Sequence, residues 1–207
     1  SVPNFDYGMA PGVKKTYVKL YRQNLARAIE LLAEVDDIDE TVATASEIFE
    51  KAKELSGDQP SLQAGEEYAK AELPILVEMY GEQIGGKIQR FAKKHAEKEI
   101  DRSTYQAMEA LIHNLNTMHS RAGAQIPFSS LNYGTDTTPE GRLVIKNILL
   151  AEDAGLGNNE TPIFPIHIFK VKEGVNYNPG DPNYDLFKLA MKVSAKRLFP
   201  NFSFIDA

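Results

Sequence analysis

The chain has 207 residues, 43% hydrophobic and 25% charged, a balance that buries a core and is too apolar for a disordered chain. Its formal net charge of -6 excludes the broad electrostatic footprint of a duplex-binding protein and leaves only a local basic patch open. Cysteine is absent, which excludes disulfides, thiolate metal sites, iron–sulfur ligation and thiol catalysis within this chain.

No apolar run approaches the roughly 18 residues that a membrane span needs. The start, Ser1-Val2-Pro3-Asn4, has neither the basic nor the apolar region of a signal peptide. A cytoplasmic protein is therefore expected. Position 1 is not methionine, which processing or excision from a longer chain would explain.

The first two-thirds read as helix. From Pro11 to about Glu34, apolar side chains at Val13, Tyr17, Leu20, Tyr21, Leu25, Ala28, Leu31 and Leu32 form one stripe on a 3.6-residue period. Pro11 suits the first turn of that helix. A second helix is expected from Asp39 to Leu55, stopping at Gly57. Between Ser61 and Ile100, Pro74, Gly81 and Gly85-Gly86 interrupt the pattern, so two or three shorter helices are expected. Lys87, Arg90, Lys93 and Lys94 read as a solvated helix face. Ser103 and Gln106 have capping-box spacing and open the best-patterned helix, whose stripe is Tyr105, Met108, Leu111, Ile112, Leu115 and Met118. It is expected to end near Arg121, before Gly123.

The texture changes after Gly123. A strand is expected from Gln125 to Tyr133, closed by Gly134. Thr138 reads as an N-cap with Pro139 at the first helical position, opening a helix that ends at Gly155. A second strand is expected over Ile163–Val171, with Pro162 and Pro165 tolerated near its start. A long turn-rich loop from Gly174 to Asn183 leads to a helix from Tyr184 to about Leu198, and Phe202–Ile205 begins another strand. Strand, helix, strand, helix, strand argues for a parallel sheet with crossover helices. So few strands make an unfinished sheet, which suggests a fragment.

Ligands in parallel α/β folds gather at the carboxyl ends of strands. Ser129, Ser130 and Asn132 are polar residues placed at such an end, and alternation puts Ser130 and Asn132 on one face and Ser129 on the other. They either contact a ligand or cap the strand and brace its loop. Thr135–Arg142 reads as an anion site at a helix N-terminus or, because Asp136 and Glu140 would repel a phosphate, as capping. His113 and His119 sit six apart and His95 and His167 lie elsewhere, so each histidine reads as structural and no metal ligand set is expected. The carboxylates scatter over expected helix surfaces and suggest no acid–base pair. No catalytic residue is assigned.

The run from Ile112 to Gly134, IHNLNTMHSRAGAQIPFSSLNYG, resembles the anaerobic, glycyl-radical (class III) ribonucleoside-triphosphate reductases. So do Thr135–Arg142, Glu160–Ile166, Lys172–Asn183 and Lys196–Phe202. The resemblance is near-continuous from about Asp101 to Ala207 and extends more weakly over Phe5–Val13. It implies an α/β fold in which a helix-rich N-terminal part precedes strand–helix repeats forming part of a ten-stranded α/β barrel. Residues 1–100 would be a mainly helical segment near the family's dimer and effector region, and residues 101–207 a partial barrel.

The resemblance further implies reduction of ribonucleoside triphosphates in a homodimer, with nucleotide effectors, a structural zinc and a glycyl radical made by a separate iron–sulfur activating enzyme. This chain has no thiol to carry the radical or bind the zinc. It is therefore expected to hold no cofactor, to bind neither DNA nor membrane, to be inactive alone, and to supply scaffold around the substrate. Ser129, Ser130 and Asn132 are the candidate cavity residues. The alternative is an autonomous nucleotide-binding or dimerisation module; an unrelated small α/β enzyme acting on sugar phosphates is a third reading.

Overall fold

The structure, a computed structural model, describes residues 1–36, 42–63, 66–118 and 125–206. It divides into two compact units, Gly12–Ile100 and a second made of Ser1–Pro11 with Asp101–Ala207.

The first unit is helical and draws on α1 (Phe5–Asp36), α2 (Val42–Ser56), α3 (Glu66–Tyr80) and the start of α4 (Glu82–Thr117). Its core is aromatic: Tyr17, Tyr21, Phe49 and Tyr68 are buried, and Tyr21 meets Tyr68 edge-on at 5.8 Å. Fully burying a side chain of this size contributes roughly 1.5–3 kcal/mol. The stripe expected on α1 turns inward at Val13, Tyr17, Tyr21, Leu25 and Ala28, whereas Leu31 is exposed. Lys87, Arg90, Lys93 and Lys94 are exposed on α4.

Two helix boundaries differ from the sequence reading. Helix α1 begins at Phe5, so Pro11 lies inside it rather than in its first turn. An interior proline costs roughly 3 kcal/mol. The Asp6 carboxylate offsets this by accepting three backbone N–H bonds from residues 134–136, and bonds to a charged group are worth roughly 1.5–3 kcal/mol each. Helix α4 runs unbroken from Glu82, so Ser103 is interior and opens nothing. The reason is a stripe at four-residue spacing, Ile88, Ala92, Ala96, Ile100, Thr104, Met108 and Ile112, all buried. Burial along one line overrides a local capping signal worth about 1 kcal/mol. Gly85 lies within α4 because a Cβ there would stand 2.9 Å from the Leu76 backbone, whereas Gly81, at φ +84, is the true break between α3 and α4. The expected helix start at Asp39 falls outside the described residues, and α4 ends at Thr117, short of the end expected near Arg121.

The second unit carries β1 (Ser130–Tyr133), α5 (Pro139–Ala154), β2 (Ile166–Val171), α6 (Tyr184–Arg197) and β3 (Asn201–Phe204). The sheet is parallel, as the alternation of elements predicts, and its strands lie in the order β1-β2-β3. Val2 forms a further parallel bridge to Leu131. Thr138 caps α5 by accepting from the Gly141 N–H, with Pro139 in the first turn and Gly155 after the end. Both early strands start later than expected. Pro165 has no N–H for a ladder, and the N–H groups of Ile163 and Phe164 donate instead to the Asn116 side chain.

Candidate functional site

Burial alternates strictly along β1 and β2. Leu131, Tyr133, His167, Phe169 and Val171 are buried, while Ser130, Asn132, Ile166, Ile168 and Lys170 are half-buried. Helix α6 packs on the buried face, where Phe187 stacks on Phe169 with ring centroids 6.1 Å apart. The register places Asn132 beside Ile168, and Ile168 beside Asn201. Ser130 and Asn132 therefore share the half-buried face, as alternation requires.

The three candidate residues are not all at the carboxyl end of the strand. Pairing begins only at Ser130, so Ser129 and Ser130 lie at its amino end and Asn132 alone approaches the carboxyl end. The Ser129 carbonyl accepts from the Ile166 N–H at 2.9 Å. The Ser129 Oγ and Asn132 Oδ1 atoms are buried without a hydrogen-bond partner among the described residues. A buried polar atom left unpaired costs roughly 1–3 kcal/mol.

The loop following β1 is tightly held. Asp6 Oδ2 accepts from the N–H groups of Gly134 at 2.9 Å, Thr135 at 3.2 Å and Asp136 at 3.1 Å. Asn176 Nδ2 donates to the Gly134 carbonyl at 3.0 Å and to that of Lys170 at 2.8 Å. Asn183 Nδ2 donates to the carbonyls of Gly134 at 3.1 Å and Asp136 at 2.8 Å. Asp6, Asn176 and Asn183 are fully buried. Gly134 is required here, because its φ is +128 and a Cβ would stand 2.9 Å from the Lys170 carbonyl. The N–H groups of Gly134, Thr135 and Asp136 are thus occupied by a carboxylate of the chain itself, and within Thr135–Arg142 the Thr138 hydroxyl caps α5.

Under the sheet, Tyr133, His167 and Glu152 form a buried chain. Burial first, then the charges of Glu152 and Asp6, hold the Tyr133 hydroxyl well above its ordinary pKa. Tyr133 Oη and His167 Nδ1 share a hydrogen bond at 2.8 Å, and the other ring nitrogen, Nε2, faces Glu152. That nitrogen lies 3.2 Å from Glu152 Oε2, off the line of a well-directed hydrogen bond. His167 is fully buried between Tyr133 and Glu152, and His119 lies outside the described residues.

The carboxylates do not all lie on helix surfaces: Asp6, Glu72, Asp136, Glu140 and Glu152 are buried. Asp6, Glu72 and Glu152 face groups remote in sequence, namely the N–H groups of residues 134–136, Tyr21 with Gln89, and His167, so local pattern carried no sign of them. Among the described residues, no group of three histidine or acidic side chains could hold a metal ion. The half-buried face offers the Ser130 hydroxyl, the Asn132 amide and the Lys170 amine beside Ile166 and Ile168.

A family model described as anaerobic ribonucleoside-triphosphate reductase matches residues 1–207. The chain belongs to the anaerobic ribonucleoside-triphosphate reductase family. Proteins of that name from Haemophilus influenzae, Escherichia coli K12 and Enterobacteria phage T4 are 38%, 37% and 38% identical to it over 108, 111 and 111 residues. Those matches take in about half of this chain, and 15%, 15% and 18% of the relatives' length. It is thus a piece of a reductase sequence, and the resemblance read from its motifs is borne out.

The helical unit of this reductase segment also carries a cavity of about 380 Å³, lined in part by Tyr17, Tyr21, Tyr68, Gln89, Arg90 and Lys93. Behind it, Glu72 accepts from the Tyr21 hydroxyl at 2.5 Å and from Gln89 Nε2 at 3.1 Å. Burial pushes the Glu72 carboxyl up, against the opposing hydrogen bonds from Tyr21, Gln89 and Tyr68. Among the described residues, no helix is long and apolar enough to cross a membrane.

Proposed function

We propose that this chain is a wall of the substrate cavity in an anaerobic ribonucleoside-triphosphate reductase, with Ser129, Ser130 and Asn132 near the bound ribonucleotide. The half-buried sheet face would look inward as part of a ten-stranded barrel, with α5 and α6 outside. The observation that carries the reading is the Asn132 amide, whose Oδ1 is buried and lacks a donor among the described residues. A ribose hydroxyl would supply that donor. The chain contributes binding and orientation, because it has no thiol for radical transfer.

The family's structural zinc does not fit these residues, which include no cysteine and, among those described, no metal-binding group. The glycyl radical, its iron–sulfur activating enzyme, nucleotide effectors, homodimer formation and a cytoplasmic setting belong to this proposal for the intact protein. DNA and membrane are not among the proposed partners. In the intact reductase, Asn132→Ala should raise KM for the ribonucleoside triphosphate about tenfold, the effect of roughly 1.4 kcal/mol of lost contact. An unchanged KM in a fully folded variant would reject the assignment.

The cavity in the helical unit supports a second reading, in which this segment itself holds a nucleotide. The lining tyrosines and the cations Arg90 and Lys93 match a flat base and an anionic tail. Saturable nucleotide binding by the purified chain, lost in Arg90→Glu with Lys93→Glu, would support it. Absence of binding would remove it.

A further inference from the structure

We propose that Asp6, Asn176 and Asn183 are positioning residues, which clamp the Gly134–Asp136 loop and thereby fix where Asn132 presents its amide. The inference rests on the reading of Asn132 given above.

The clamp works from both sides of the same main chain. Asp6 takes the N–H groups of three successive residues, while the two asparagine amides take the carbonyls of Gly134 and Asp136. Gly134 is held at both its N–H and its carbonyl. A loop of this length satisfies its polar groups locally in an ordinary turn. Here three side chains, 128, 42 and 49 residues away from Gly134 in sequence, do so instead. Asn176 also bonds the Lys170 carbonyl, so the loop is tied to the end of β2, the strand next to Asn132.

Asn132 is two residues before Gly134, and its own N–H donates to the Val2 carbonyl at 2.9 Å. Val2 and Asp6 lie on one short N-terminal stretch. That stretch therefore sets both the height of the strand and the course of its loop. A displacement of about 1 Å at a group that contacts the ligand in ground state and transition state alike weakens that contact, and the loss appears in KM rather than kcat. Rigid support of this kind separates a binding position from a merely stable one.

The test uses the intact reductase, with KM and kcat for ribonucleotide reduction measured well below the melting temperature of each variant. Asp6→Asn keeps the shape but weakens the acceptor, and Asn176→Ala removes one arm. Each should raise KM about tenfold with kcat within about threefold of the parent. Tyr7→Phe removes only a hydroxyl that donates to the Thr135 carbonyl at the exposed rim of the loop. It should raise KM about twofold without moving the melting temperature, and it reports even if the buried variants fail to fold. Unchanged KM in Tyr7→Phe and in every clamp variant that folds would overturn the inference. Asn132→Ala separates the two readings. If it raises KM while the clamp variants do not, the clamp is scaffold and the inference falls alone. If the clamp variants raise KM and Asn132→Ala does not, the loop itself meets the ligand: positioning by the clamp stands, and both the assignment of Asn132 and its place in this proposal fail.

Discussion

Replacing Arg197 by methionine should unfasten the end of α5. Arg197 is 4% exposed, and its guanidinium serves a helix terminus and the turn that follows. Nε and Nη2 donate to the Asp153 carbonyl at 3.0 and 2.7 Å, Nη2 reaches the Ala154 carbonyl at 3.2 Å, and Nη1 reaches the Asn159 carbonyl at 2.9 Å. The last carbonyls of a helix have no partner within it, and a cation there also meets the negative end of the dipole. Methionine keeps much of the packing and removes every donor. The Asp153 carbonyl keeps Lys196 Nζ at 3.1 Å, whereas the Ala154 and Asn159 carbonyls and Asn159 Oδ1 lose an Arg197 donor. Three such acceptors at about 1 kcal/mol each give about 3 kcal/mol. The dipole term adds about 0.5 kcal/mol, and relief from burying a charge subtracts a comparable amount.

Urea unfolding followed by circular dichroism would measure that loss. Amide exchange over Gly155–Thr161 would locate it, which matters because two units need not unfold together. Arg197→Lys should recover about 1 kcal/mol, since one ammonium cannot span all three acceptors. A loss below about 0.5 kcal/mol for Arg197→Met, with unchanged exchange in that segment, would show that water serves those acceptors equally well and would refute the reasoning.

Gly141→Ala should destabilise by about 2 kcal/mol in the same unfolding assay, because its Cβ would stand 2.1 Å from Asp136 Cγ and push that side chain off the Thr138 N–H. Glu72→Gln should flatten the pH dependence of stability of the helical unit. A carboxyl with a raised folded pKa stabilises fully below its ordinary value of 4.5 and loses that contribution as pH rises through the folded value. The parent should therefore weaken relative to the variant as pH rises from 4.5, as read from denaturation midpoints; a constant difference would contradict it. The chain alone should form no deoxynucleotide even with an activating enzyme, formate and an effector, because it contains no cysteine. Product above background by chromatography would sink that expectation.

The sequence alone determined which family the chain belongs to, the parallel sense of the sheet, and the limits of α5 and α6 to within a residue. These rest on signals within a few residues of one another. Thr138 and Pro139 start a helix by the geometry of one turn, and Gly155 ends it by its φ of +76. The tertiary structure decided the rest. Helix α4 ignores Ser103 because its buried line of Ile100, Met108 and Ile112 continues through that position, and a stripe must be seen against what it packs on. Ser129 and Ser130 moved to the start of β1 because pairing with Ile166 sets where a strand begins. The loop clamp left no trace in local pattern: Asn176 and Asn183 read as turn formers, and Asp6 stood before the expected helix. A side-chain carboxylate or amide bonds to whichever backbone group folding brings within about 3 Å, and that pairing has no fixed spacing along the chain.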